Sequence, residues 1–148
     1  RLTTSAKEDV FPSTPTFSFY GSSYSSDYLV FTPVETNTNQ LKGGSYAPLQ
    51  ELTQEQAAAA QETGQQGIPM LIFGGKLYIS GATYSPEIIA ERNAPGIAQL
   101  MADPTTAISR SVLGAANGIT AAICVMTGNQ PAAVCDSPGV AAAKALLA

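Results

Sequence analysis

Two β-prone runs that meet at a pair of glycines constrain the fold of this chain more than any other feature. Ile68-Pro69-Met70-Leu71-Ile72-Phe73 is an apolar run of strand length, and Lys76-Leu77-Tyr78-Ile79-Ser80 is its return. Gly74-Gly75 between them supplies a two-residue turn of the kind that needs positive φ, so an antiparallel hairpin is predicted, ended by Gly81-Ala82. Ser85-Pro86-Glu87 then places an N-cap residue, a helix-starting proline and an early acid in succession, which predicts a helix over residues 86–92.

Residues 1–15 mix charge, threonine and two prolines and read as an irregular lead-in. Thr16-Phe17-Ser18-Phe19-Tyr20 alternates with period two, and Tyr28-Leu29-Val30-Phe31-Thr32 is a continuous β-prone run that Pro33 ends. With residues 22–27 as the turn, these two runs are expected to pair as a first hairpin. Residues 35–47 are expected to form a long surface loop. Residues 51–61 are filled with Ala, Gln and Glu and predict a helix, although Thr53 with Gln56 three positions on resembles a capping box and could start it later. Gly64 and Gly67 stop it. Pro95 is expected to interrupt the next helical stretch, and Ile97, Leu100 and Met101 predict another turn or two of helix. Residues 105–127 are Ala-rich, with Ile108, Val112, Leu113, Ile119 and Ile123 as the expected buried stripe, and residues 140–148 predict a short terminal helix. The order of elements describes one α/β or α+β domain over residues 1–148, a small mixed sheet covered by helices. A chain of 148 residues is long enough to bury a core without metal.

Composition removes whole classes of function. Without histidine there is no Ser-His-Asp or Cys-His pair and no imidazole metal ligand, and two cysteines alone do not close a four-ligand zinc site. No metal and no cofactor are therefore expected. A net charge of −4 and a pI near 4.6 give no basic footprint for nucleic acid or anionic lipid. The uninterrupted apolar runs are short and Ala-rich, around residues 121–126 and 140–148, so no membrane span is expected. With only 7 basic and 11 acidic side chains, the surface is built of uncharged polar residues, which is common outside the cytoplasm. A chain that opens on Arg1 rather than Met is expected to be a processed product, a fragment or the remainder of something longer.

Few residues offer chemistry. Glu51 with Glu55, and Glu87 with Glu91, stand at i,i+4, where like charges on an exposed helix face repel weakly and only a shared buried site would suit them to proton transfer. Gly74-Gly75 lacks the Lys-Ser/Thr of a phosphate loop. Tyr20, Tyr24 and Tyr28 at four-residue spacing could share a face, for packing or as a binding platform. Cys124 and Cys135 lie too far apart for a redox Cys-x-x-Cys. Gly128 and Pro131 between them could turn the chain so that the sulfurs meet as a local staple, which would imply an oxidising compartment. Two unpaired buried thiols are the alternative.

Several motifs together resemble a known family. They are Thr16-Phe17-Ser18-Phe19-Tyr20-Gly21, residues 28–35, the stretch from Ile68-Pro69 through Tyr84-Ser85-Pro86, and the closing Ala115-Ala116-Asn117-Gly118-Ile119-Thr120-Ala121-Ala122-Ile123-Cys124 with Thr127-Gly128-Asn129-Gln130-Pro131 and Cys135. Spanning residues 15–135, they are similar to a thioredoxin-like domain-of-unknown-function family found mainly in thermoacidophilic archaea. The resemblance implies a thioredoxin-like mixed sheet with covering helices and an added Ala-rich helical extension at residues 105–148. It implies a cis peptide at Ile68–Pro69, with the backbone of Ile68 pairing with bound peptide. It also matches Cys124 and Cys135 to the family's C-terminal pair, in support of the disulfide. Members typically carry a Cys-x-x-Cys upstream, after a first strand and often a membrane anchor, and this sequence has none of these. Two functions follow as expectations. One is an extracytoplasmic binding or structural subunit without redox thiols, working with a protein partner or in a larger assembly. The other is a piece of a thiol–disulfide oxidoreductase whose Cys-x-x-Cys lies upstream of Arg1, and only that longer protein would be an enzyme.

Overall fold

The computed structural model describes residues 2–147, with the backbone alone at Leu2. It is a mixed α/β structure whose described strands pair two by two into small antiparallel sheets: β1 (Leu2–Thr4) with β2 (Pro15–Phe17), β3 (Asn37–Lys42) with β4 (Ser45–Pro48), and β5 (Met70–Phe73) with β6 (Leu77–Ser80). Five α-helices complete it: α1 (Gln54–Glu62), α2 (Ala94–Met101), α3 (Ala107–Met126), α4 (Ala132–Cys135) and α5 (Pro138–Lys144). The single mixed sheet expected from the element order is thus replaced by separate hairpins among the described residues. Each strand ladders to one partner, and no strand ladder joins one pair to another among the described residues.

The β5–β6 hairpin forms where its sequence predicts it. Gly74 and Gly75 adopt φ of 54° and 69°, and the Lys76 N–H donates to the Phe73 carbonyl at 3.0 Å. Phe73 pairs with Leu77, so the loop is one residue longer than a two-residue turn. The first expected hairpin does not form. Residues 15–17 pair instead with residues 2–4 of the supposed lead-in, Thr3 opposite Thr16, which leaves residues 28–32 without secondary structure. Strand propensity describes a residue's fit to a pleated surface and does not name its partner. Residues 35–47, expected as loop, contain β3 and most of β4, turned by Gly43 and Gly44 at positive φ.

Helix α1 starts where the capping box predicts. The Thr53 hydroxyl accepts from the Gln56 N–H at 3.2 Å, and the Gln56 side chain accepts from the Thr53 N–H at 2.9 Å. No residue of α1 is buried, so this nine-residue helix depends on its cap more than on packing. Thr53→Ala is expected to lower stability by about 1 kcal/mol, with the loss of ellipticity at 222 nm preceding global unfolding in a urea titration.

After Ser85 the predicted helix shortens to one 3₁₀ turn (Pro86–Ile89). Glu91 takes φ 57° and donates its N–H to the Ser13 carbonyl, and Asn93 starts α2 by accepting from the Gly96 N–H at 2.9 Å. Pro95 stands in the first turn of α2, where a missing N–H is harmless, rather than interrupting it. Thr106 caps α3 by accepting from the Ser109 N–H, and the buried Ser109 hydroxyl donates to the Met101 carbonyl at 3.0 Å, tying α3 to α2. Helix α3 is 20 residues long and, by length and composition alone, apolar enough to cross a membrane, which the short apolar runs of the sequence did not foretell.

The core lies in the C-terminal helices. Ala121, Cys124, Cys135 and Val140 form one buried cluster with Ala143 against it, and Ile108 and Ala122 are also buried. Of the expected stripe, Ile108 is buried, Val112, Ile119 and Ile123 are half-buried and Leu113 is exposed, while the small residues Ala121, Ala122 and Cys124 are buried more fully than most of it. Helix α5 approaches so closely that a Cβ at Gly139 would collide with Asn117. The rest of the chain is open. It exposes 10157 Å², whereas a compact monomer of its mass exposes about 7,100 Å².

Candidate functional site

The chain leaves α3 through two left-handed residues, Gly128 and Asn129, and the Asn129 N–H returns to the Cys124 carbonyl at 2.8 Å. The Thr127 hydroxyl donates to the Gln130 carbonyl at 2.6 Å and accepts from the Gln130 N–H, and the Gln130–Pro131 peptide is cis. This turn delivers Cys135 at the end of α4 to Cys124 on α3. The two are joined as a disulfide, with Cα atoms 5.7 Å apart, and both are buried. On the far side of the turn the Asn129 amide donates to Asp136 and accepts from Lys144, which fastens α5 to the same corner.

Against the disulfide lies a shallow groove of about 250 Å³. Its walls come from two parts of the chain: Ile123, Pro131 and Val134 around the sulfurs, and Tyr24, Tyr28 and Leu29 from the irregular segment opposite. Ser26, Thr120 and Gln130 add uncharged polar atoms, and no charged side chain lines it. Phe31 meets Phe19 and Tyr24 edge-on, with ring centroids 5.6 and 6.0 Å apart, and so extends the aromatic surface beyond the groove. Of the three evenly spaced tyrosines, Tyr24 and Tyr28 enter the groove and Tyr20 does not.

The Ile68–Pro69 peptide is cis as expected, and the Pro69 carbonyl accepts from the Gly81 N–H at 2.8 Å. Ile68 itself stands 88% exposed. It is not brought to the cysteines. The tip of the hairpin at Gly74 approaches Met126 of α3. The groove at the disulfide includes neither Ile68 nor Pro69.

The carboxylate pairs do not form shared sites. Glu51 precedes α1 and Glu91 follows the 3₁₀ turn, so neither pair lies on one helix face, and all four residues lie at least partly open to solvent. No three Cys, Asp or Glu side chains gather among the described residues. The groove walls at Leu29 and Val134 were not singled out by sequence as site residues. Pro131, midway between the cysteines, carried a local signal.

Asp9 and Tyr46 join distant elements, the Tyr46 hydroxyl donating to Asp9 Oδ2 at 2.9 Å. The hydrogen bond to Asp9, aided by burial and by the Asp9 charge, raises the Tyr46 pKa above the ordinary tyrosine value. A raised pKa means that this contact stabilises the fold fully below the unfolded-chain value near 10 and is lost as pH rises through the folded one. In an absorbance titration at 295 nm, Tyr46→Phe is expected to remove a phenol that titrates above the ordinary tyrosine value, and an unchanged upper limb would count against the contact.

No family model, curated protein or solved structure matches this chain.

Proposed function

We propose that this chain is a thioredoxin-like module without thiol chemistry, acting outside the cytoplasm as a binding or structural subunit of a cell-surface or secreted assembly. The observation that carries this reading is the state of its cysteines. Thiol–disulfide exchange needs a thiolate, or a disulfide sulfur that a thiolate can reach. Here both cysteines are joined, at 2% and 0% exposure, and no free cysteine remains among the described residues. The exposure of Ile68 is compatible with the thioredoxin-like part of the reading, in which the Ile68 backbone receives an extended segment of a protein partner. A buried disulfide supports an oxidising compartment.

A second reading is the larger piece of a thiol–disulfide oxidoreductase whose Cys-x-x-Cys, and in some members a membrane anchor, lie upstream. The excess of exposed surface favours it, because a preceding strand and helix would cover part of that surface.

An insulin-reduction assay with dithiothreitol, run beside intact-mass analysis of the protein from its source, separates the two. The first reading expects turnover at the uncatalysed rate and a source protein without further cysteines. Catalysed insulin precipitation, or a source protein carrying an upstream Cys-x-x-Cys, would overturn it in favour of the second.

A further inference from the structure

We draw no further inference here: the strongest candidate, the uncharged groove between the disulfide corner of α3 and α4 and the irregular segment at Tyr24, Tyr28 and Leu29, is an unpartnered apolar surface, and nothing in the structure shows what covers it.

Discussion

Replacing Cys124 and Cys135 together with alanine is expected to lower the unfolding free energy by about 3 kcal/mol and the melting temperature by roughly 8 °C. The cysteines are eleven positions apart, so the bond closes a short loop and removes about 2–3 kcal/mol worth of freedom from the unfolded chain. The remainder comes from packing. Both sulfurs belong to the largest buried apolar cluster of a chain that buries few other apolar side chains. With no tryptophan, unfolding is followed by circular dichroism at 222 nm or tyrosine emission in a urea titration. Reductant added to the wild type should move the midpoint in the same direction. A midpoint insensitive both to reductant and to the double substitution would show that the two sulfurs are not joined.

Ala121→Leu is expected to destabilise by a comparable amount, about 3 kcal/mol. Ala121 is wholly buried where α3 meets the disulfide and Val140 of α5, and that contact is made by small side chains at close approach. Three added carbons have no space there and would force the helices apart. The control is Ala116→Leu on the same helix, where the side chain is exposed and the change should stay within about 0.5 kcal/mol. Alanine and leucine differ little in helix propensity, so the difference between the two variants reports packing alone. Equal effects at both positions would mean that α3 is not packed through Ala121.

Much of the candidate site was legible because it is local. The cysteine pair, with Gly128 and Pro131 between them, already described a turn that could join the sulfurs, and the structure adds Asn129 as a second left-handed residue and the Thr127 bonds to Gln130. The other wall of the groove was not legible. Tyr24, Tyr28 and Leu29 reach Pro131 and Val134 across about a hundred residues, and no spacing rule relates them.

What the sequence by itself determined are the features settled within a few residues of one another. They are the β5–β6 hairpin around Gly74 and Gly75, the capping box at Thr53 and Gln56, the start of the turn at Pro86, the helicity of the Ala-rich stretch and the closeness of the two cysteines. In each case the local free energy of a turn, a cap or a helix former outweighs its alternatives without help from elsewhere. Tertiary structure alone decided which strand pairs with which. Residues 15–17 took residues 2–4 as a partner, residues 37–48 made a hairpin of a largely polar stretch, and the β-prone run at residues 28–32 received no strand partner among the described residues. It also decided that Ala121 and Cys124 join Ile108 in the core while Leu113 of the stripe faces solvent. Strand pairing and helix contact depend on which surfaces the rest of the chain brings alongside, and a residue's own preference states only that it would accept such a neighbour.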